Sequence, residues 1–406
     1  MNSCSFTLFI LGAIIFLRCL CFTGAATCHP DDEAGLLGFK SSITKDPSDI
    51  LSSWKKGTNC CFWRGIICFP RDRVTQLNVN GDVYLGLTFL SGTISPMLAK
   101  LQHLEGIYLT SLRKIAGPFP QFLFRLPKLK YVSIQGNLLS GPLPANIGEL
   151  SQLKTLVIEG NLFTGQIPNS SGNFLRPLHR SHRLSQSLGN DPRIFIKIQG
   201  ALHIGSLQES VLGVVPMSFA NLTKLIHLDL SQNLLTGPLP VLKSIAVIES
   251  LDLSYNKFHL KTIPKWMTSS PFIYSLKLAK CGIKISLDDW KLAGTYYYVS
   301  IDLSENEISG SPVRFLNQMK YLMEFRAAGN KLRFDLGKLT FVETLGILDL
   351  SRNLIFGKVP ATVAGLRTLN VSQNQLCGKL PATKFPASTF AGNDCLCGSP
   401  LSPCKL

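Results

Sequence analysis

The sequence predicts a repeat solenoid, in which short strand-and-turn units stack side by side. Eight stretches follow or approach the pattern L-x-x-L-x-L-x-x-N, and the asparagine returns every 21 to 25 residues wherever the pattern is clear between Asn137 and Asn374. Such a unit cannot bury its own leucines and must stack on copies of itself. The predicted fold class is a leucine-rich-repeat solenoid (α/β, β-rich), a curved right-handed superhelix with a parallel concave β-sheet.

Each unit is predicted to begin with a short strand. In segments such as Leu228-Asp229-Leu230 the leucines point into the core and the residue between them points out, so one sheet face is exposed along the array. The asparagine after each strand lies at the bend, where its amide can bond orphaned backbone groups. The predicted bend residues are Asn137, Asn161, Asn233, Asn256, Asn306, Asn330, Asn353 and Asn374, with Cys281 in the same position.

Length and composition agree with one elongated domain. A single compact core stops growing at about 250 to 300 residues, whereas a stack of repeats escapes that limit, and this chain has 406 residues. Hydrophobic residues make up 45% of the chain and charged residues 16%. That balance excludes a disordered chain.

Residues 1–26 are predicted to be a signal peptide. The apolar run at 6–16 is shorter than the about 20 residues that span a bilayer, and the small residues at 24–26 suit a cleavage site. Lys and Arg are missing before Arg18, and a signal anchor is the alternative interpretation. No later stretch is long and apolar enough to cross a membrane, so we expect a soluble, secreted product with no transmembrane segment in the mature chain.

Cysteine usage indicates the same compartment. A solenoid exposes its core at both ends, and in an oxidising compartment disulfides can hold small caps together. We therefore expect caps at 27–73 and 377–406, with three possible pairings in each. A zinc site made of the last three cysteines is a weaker alternative, because no histidine is near. The cap cysteines are Cys28, Cys60, Cys61 and Cys68, then Cys377, Cys395, Cys397 and Cys404.

Two terminal segments resemble those of a known family. DDEAGLLGFKSSITKDPSDILSSWKKGTNCCFWRGIIC, residues 31–68, is similar to the amino-terminal cap of plant extracellular leucine-rich-repeat proteins. NDCLCGSPLSPC, residues 393–404, resembles the carboxy-terminal cap of polygalacturonase-inhibiting proteins, and the L-x-G-x-I-P turns resemble the plant-specific repeat. The resemblance covers nearly the whole mature chain.

The resemblance implies several features. It implies a second small sheet made by the L-x-G-x-I-P segments, and residence in the apoplast or cell wall of a plant. It also implies four disulfides: Cys28 to Cys60, Cys61 to Cys68, Cys377 to Cys395 and Cys397 to Cys404.

One segment departs from the repeat. Asn161 and Asn233 are 72 residues apart, room for three units, yet no L-x-L strand precedes the expected positions Ser185 and Glu209. We therefore divide the array into repeats at 74–172 and 213–376, separated by an aberrant non-repeat segment at 173–212. The segment is interpreted as a splice or gene-model fault that replaced native repeats, and an inserted ligand-binding island is the alternative. We expect the sheet to be interrupted there.

No catalytic, cofactor-binding or metal-binding motif stands out, such as G-x-S-x-G, H-E-x-x-H or a phosphate-binding glycine loop. Adjacent strands lie about 5 Å apart, so Asp229 and Asp252 could approach as a carboxylate pair. These residues, with Asp302 and Asp349, are instead interpreted as ordinary strand residues. We therefore expect a protein that is not an enzyme and needs no cofactor or metal.

The net charge and the glycosylation motifs bear on the kinds of partner that the protein can bind. The net charge is +16, which favours polyanions such as wall pectin, whereas the exported location excludes nucleic acid. Three N-x-S/T motifs predict glycosylation at Asn169, Asn221 and Asn370. Asn370 lies on a strand, where a glycan would cover the end of the concave face.

The exposed concave face is the predicted partner-binding surface. Its candidate residues are His227, Lys277, Glu305, Arg326 and Arg352, which alternation is expected to place in one continuous column. Charge reversal at Lys277 and Arg326 is expected to weaken binding and to leave thermal stability unchanged.

The predicted function is that of a secreted plant protein-binding protein similar to polygalacturonase inhibitors, which would block a pectin-degrading enzyme. One alternative is a ligand-sensing or scaffold partner of a membrane receptor kinase. Another is a nonfunctional product with a damaged repeat array.

Overall fold

The structure is a computed structural model that describes residues 28–69, 72–81, 88–173, 194–197, 211–242, 247–290 and 297–404. The predicted signal peptide at 1–26 lies outside these residues. Within the described ranges, no helix combines the length and the apolar character that crossing a membrane would need.

A 13-stranded sheet runs along the molecule and forms the concave sheet of the solenoid. We call it the long sheet. Its first two strands pair antiparallel, and every later neighbour pairs parallel, as in Val74–Asn80 with Gly106–Thr110. In spatial order its strands are Ile66–Cys68, Val74–Asn80, Gly106–Thr110, Tyr131–Gln135, Thr155–Val157, Ile194–Lys197, Leu225–Asp229, Ser250–Asp252, Ser275–Lys277, Ser300–Asp302, Glu324–Arg326, Ile347–Asp349 and Thr368–Asn370.

The strand register stacks the repeat leucines on one another. Leu251 pairs with Leu276, and Leu276 pairs with Ile301. All three side chains are fully buried. Because each repeat presents the same apolar position to the next, the core is a continuous column between the long sheet and the outer helices. The predicted fold class is confirmed.

Short strands after the bends form a second sheet, as the family resemblance implies. In the described residues it is divided into four pieces, mostly parallel. The pieces are Ile43–Lys45 with Leu90–Thr93, Arg113–Gly117, Leu138–Pro142 and Leu162–Thr164; Leu212–Val214 with Leu234–Thr236; Ser309–Gly310 with Lys331–Leu332; and Phe356–Gly357 with Gln375–Lys379 and Cys395–Cys397.

Short helices complete the turns on the side away from the long sheet. In the part of the chain that the structure describes, the α-helices are Pro30–Ser41, Lys265–Ser269 and Val313–Leu316. Among the described residues, the 3₁₀ helices are Cys60–Phe62, Pro96–Lys100, Gln121–Arg125, Ile147–Glu149, Asn169–Asn173, Met217–Asn221, Leu287–Asp289, Leu336–Lys338, Ala361–Gly365 and Ala387–Phe390.

The predicted asparagines form a buried hydrogen-bond ladder. Asn306 is typical: its Nδ2 donates to the carbonyl oxygens of Leu278, Leu303 and Ser304 at 2.9 to 3.1 Å. Its Oδ1 accepts from the backbone nitrogen of Cys281, 3.1 Å away. One amide thus satisfies backbone groups of two repeats that would otherwise be buried without partners. Cys281 takes the ladder position with weaker donors, its Sγ lying 3.4 Å from the Leu253 oxygen.

The amino-terminal cap is locked to the first repeat by a buried ion pair. Asp32, in the cap helix, is fully buried. Its carboxylate accepts from Nε and Nη2 of Arg73, both at 3.0 Å, and from the Val74 nitrogen at 2.8 Å. The disulfides Cys28–Cys60 and Cys61–Cys68 close the same cap.

The carboxy-terminal cap continues the asparagine ladder by one step. Asn393 donates to the oxygens of Val371 and Phe390, and its Oδ1 accepts from the Leu376 nitrogen. The disulfides Cys377–Cys395 and Cys397–Cys404 hold this segment. All four bonds join the pairs that the family resemblance implies. The three cysteines considered for zinc are therefore bonded to sulfur.

The expectation that the sheet is interrupted after residue 173 is wrong. Strand Ile194–Lys197 pairs in parallel with Thr155–Val157 on one side and with Leu225–Asp229 on the other. Its Ile196 lies in register with Leu156 and Leu228, because an I-x-I spacing serves a strand as well as L-x-L. Between Asn161 and Asn233 the described residues thus add two strands to the long sheet, Ile194–Lys197 and Leu225–Asp229, where three regular units would add three.

The outer helices also stack directly across this segment. A Cβ atom on Gly148 would overlap the carbonyl oxygen of Ser170 on the next turn. A Cβ atom on Gly172 would overlap Ser218 in the same way, although 174–193 and 198–210 intervene in the sequence. Turns on both sides of the segment therefore approach as closely as ordinary neighbours. The rest of the segment lies outside the described residues.

Candidate protein-binding surface

The exposed face of the long sheet carries a row of alternating charges. The parallel register places Asp252 beside Lys277, Lys277 beside Asp302, Asp302 beside Arg326, and Arg326 beside Asp349. We call these five residues the central row. Since neighbouring strands lie about 5 Å apart, each cation has an acid on both sides.

The two basic residues of the central row are engaged in ion pairs. Nζ of Lys277 lies 3.8 Å from Oδ2 of Asp252. Nε of Arg326 lies 2.5 Å from Oε1 of Glu324, on its own strand. The hydrogen bond that Arg326 donates to Glu324, with the charges of Glu324, Asp302 and Asp349, raises the pKa of Arg326. Charge reversal at Arg326 would bring acids together, so we now expect it to lower stability, contrary to the expectation from the sequence.

The aspartates of this face have a structural task. Asp252, Asp302 and Asp349 each accept a hydrogen bond at Oδ1 from the backbone nitrogen two residues later, at 2.9 to 3.0 Å. Asn370 makes the same bond to Ser372. These carboxylates therefore fix the exit of each strand, which supports their interpretation as strand residues.

Asp229 and Asp252 are direct neighbours in the register. Burial of Asp252, reinforced by the nearby charge of Asp229, raises its pKa, and the hydrogen bonds from Ser254 oppose that shift. The repulsion between the two carboxylates thus accompanies the hydrogen bonds by which they fix the ends of their strands.

The five sequence-predicted partner residues do not form one column. Lys277 and Arg326 lie in the central row. His227 lies in the middle of strand Leu225–Asp229, in register with Ser250, which begins the next strand. Glu305 and Arg352 lie after their strands at positive φ, 58° and 56°. They pair with each other through Nη2 of Arg352 and Oε1 of Glu305, bridging across the turn that carries Gly329.

An aromatic strip borders the long sheet where its strands begin, and sequence reasoning missed it. The ring centroids of Tyr297 and Tyr321 lie 5.2 Å apart, stacked across neighbouring turns. The Val299 nitrogen donates to the Tyr274 oxygen and the Met323 nitrogen to the Val299 oxygen, which places Tyr274 and Met323 along the same edge. We call the set Phe272, Tyr274, Tyr297, Tyr321 and Met323 the aromatic margin; its members are 42% to 55% exposed.

The composition of the aromatic margin is that of a protein interface. Tyr, Phe, Met and Arg are enriched at the core of such interfaces, and Lys and Glu are depleted there. These five exposed side chains come from three adjacent repeats and are not scattered singly over the surface. The margin adjoins Lys277 and Arg326 through the strands that carry them, so both sets can contact one partner.

Two predicted glycosylation sites lie on outer 3₁₀ helices and not on the long sheet. Asn169 is exposed at the start of one 3₁₀ helix, and Asn221 is half-buried at the end of the next. Asn370 ends the last strand of the long sheet, where its Oδ1 is bonded to the Ser372 nitrogen.

Comparisons with known proteins agree with this architecture. Residues 29–69 match the model of the leucine rich repeat N-terminal domain. Polygalacturonase inhibitor 2 of Phaseolus vulgaris is 41% identical over 111 residues, which cover 26% of this chain and 32% of that protein. The receptor-like serine/threonine-protein kinase GSO2 of Arabidopsis thaliana is 36% identical over 139 residues, 32% of this chain and 10% of that protein.

Solved structures show the fold. The leucine-rich-repeat ectodomain of the Arabidopsis receptor kinase HAESA superposes with a TM-score of 0.64 at 23% identity, covering 86% of this chain and 58% of that chain. The matches to the inhibitors of Phaseolus vulgaris span about a third of their length. The chain is thus a leucine-rich-repeat protein similar to the polygalacturonase inhibitors and to the ectodomains of plant receptor kinases.

Proposed function

We propose that this chain is a secreted plant cell-wall protein that binds another protein with its concave side and thereby inhibits a pectin-degrading enzyme. The observation that carries the proposal is the aromatic margin beside the central row. Similarity to polygalacturonase inhibitors supports the choice of partner.

The aromatic margin and the central row play different roles in binding the partner. In protein interfaces a few aromatic and Arg residues supply most of the binding free energy, and the aromatic margin offers three tyrosines in adjacent repeats. The ion-paired central row supplies orientation rather than net attraction, because its charges compensate each other. A rigid sheet also loses little conformational entropy on binding, because neighbouring repeats fix its strands on both sides.

Capture and inhibition assays test the proposal. The purified protein should retain a polygalacturonase from fungal or insect culture filtrate and should reduce its hydrolysis of polygalacturonate. A catalytically inactive enzyme preparation should compete for binding. Retention of wall proteins without any pectin-degrading enzyme among them would contradict the proposal.

A receptor-associated role is the second candidate, favoured by the similarity to GSO2. In that role the same concave surface would bind the ectodomain of a receptor kinase. Crosslinking at the aromatic margin in intact plant tissue distinguishes the two, because the crosslinked partner is either a wall enzyme or a membrane kinase.

Wall pectin is a further expected ligand because of the net charge of +16.

A further inference from the structure

Two neighbouring 3₁₀ helices on the outer side enclose a groove that the proposed function does not use. The groove has a volume of about 440 Å³ and is lined by Asn169, Ser170, Asn173, Met217, Ser218 and Asn221. Two of the three predicted glycosylation asparagines therefore line the same groove, on consecutive turns of the solenoid.

The groove has fixed walls. Oγ of Ser218 donates to the Asn169 carbonyl oxygen at 2.5 Å. Oγ of Ser170 makes the same bond to the Ala145 oxygen at 2.7 Å. The Ser218 bond and the close approach of Gly172 to Ser218 hold the two helices at a set separation, and the Ser170 bond fixes the first helix to the preceding turn. The groove is therefore preformed.

Its lining combines amides with one apolar side chain. Asn173 and Asn221 carry amide groups, each with two donor hydrogens and an acceptor oxygen. Met217 is 65% exposed, an unusual exposure for a flexible apolar side chain. Amide groups beside an exposed apolar side chain suit a sugar ring, which presents hydroxyl groups at its rim and C–H groups on its face.

We propose that the first N-acetylglucosamine of a glycan on Asn169 folds into this groove, covers Met217 and contacts the amide of Asn221. Asn169 is the attachment point because it is exposed, whereas Asn221 is half-buried. The sugar bridges the turns on the two sides of 174–210 and protects their junction. The inference rests on the proposed export, because N-glycans are added only in the secretory pathway.

Oxidation of Met217 tests this placement, since susceptibility of a thioether to peroxide follows its exposure. Protein secreted from plant leaves is treated with hydrogen peroxide, and sulfoxide is measured by peptide mass spectrometry at Met217, Met97 and Met323. The latter two, 42% and 46% exposed, are internal references. Ser171→Ala removes the motif at Asn169 and leaves every groove-lining residue in place. Asn370→Gln removes a distant motif and is the matched control.

In the glycosylated protein Met217 should be oxidised at least about threefold more slowly than in Ser171→Ala, while the reference methionines are unchanged. Asn370→Gln should behave like the wild type. Trimming the glycan on the folded protein to one N-acetylglucosamine should keep the protection, and complete removal should abolish it, which covers the case that Ser171→Ala does not fold.

Equal oxidation of Met217 with and without the glycan would overturn the inference. A bare Asn169 beside an occupied Asn221 or Asn370 would overturn it and leave export intact. Three bare sites would overturn it as well, whereas absence of the protein from the secreted fraction of the leaves would overturn export.

Discussion

Gly172 and Ser218 touch on neighbouring turns, although they are 46 residues apart in the sequence. The contact joins the repeats before and after 174–210, so the outer stack is continuous where the sequence pattern is not. A substitution at Gly172 therefore probes whether this junction is an ordinary repeat contact.

Gly172→Ala should destabilise the fold by about 1 to 3 kcal/mol, because the added methyl group overlaps the Ser218 backbone and the helices must separate. Thermal unfolding and limited proteolysis measure the effect. Gly365→Ala is the matched control, since a Cβ there meets no described atom within 4 Å. Equal stability of the two variants would show that the turns are not in contact.

Ladder asparagines should differ in importance according to their bonds. Asn306→Ala should lower the free energy of unfolding by about 3 kcal/mol or more. The substitution leaves three buried carbonyls and two backbone N–H groups without hydrogen-bond partners. Asn137→Ala should cost less. Asn137 donates to two oxygens, and among the described residues its Oδ1 has no hydrogen-bond partner. Urea denaturation checks the order, and a reversed order would contradict the ladder.

Cys281 should be an unreactive thiol in the native protein. It is buried and not in a disulfide, and burial raises its pKa to about 12. Hence almost no thiolate exists at pH 8. Peptide mapping after treatment with iodoacetamide should find Cys281 unmodified in the folded chain and modified after unfolding. Labelling of the native protein within minutes would contradict the burial.

Replacing this thiol by the ladder residue should stabilise the repeat array. In Cys281→Asn, a carboxamide takes over two long sulfur bonds of 3.4 and 3.6 Å. We expect a gain of about 0.5 to 1.5 kcal/mol in urea denaturation, the usual net value of an added hydrogen bond. Cys281→Ala, which adds no donor, is the control and should not show this gain.

Asp252 should make stability depend on pH. Its folded pKa is raised, so the folded state holds its proton more tightly than the unfolded chain does. The fold therefore loses stability as pH rises from the usual carboxyl range, about 4, through the raised value. Asp252→Asn keeps the bond to Ser254, as Asn370 does to Ser372.

The variant should unfold at a higher temperature than the wild type at pH 7, and the difference should shrink as pH falls towards about 4. Asp302→Asn is the control. It keeps the bond to Ser304 but removes an acid flanked by two cations, so it should not stabilise the fold. A pH-independent effect of Asp252→Asn would contradict the shifted pKa.

The repeated part of the fold can be predicted from the local sequence pattern, whereas the contacts on the exposed surface cannot. The buried leucines and the asparagine ladder were predictable because each repeat imposes the same demands on the same positions. Asn393 could have been found as well, since it lies 19 residues after Asn374, close to the ladder spacing. The strand at Ile194–Lys197 was not predicted because it lacks leucine and does not lie at the expected repeat interval.

Side chains on the exposed face depend on relations between repeats. The leucine pattern sets the register that brings Asp252, Lys277 and Asp302 side by side, but it does not show that Arg326 pairs with Glu324 on its own strand. The aromatic margin lies outside the L-x-L segment, where the path of the chain decides exposure. Tyr298 shows this: it is buried beside the exposed Tyr297.

Binding of a pectin-degrading enzyme to margin variants tests the central claim most directly. Tyr297→Ala with Tyr321→Ala should raise the Kd by at least about tenfold, a loss of about 1.4 kcal/mol, with an unchanged melting temperature. Phe356→Ala, an exposed aromatic on the second sheet, should stay near the wild-type Kd. If the tyrosine variant binds like the wild type, or if Phe356→Ala abolishes binding, the partner does not use the concave side.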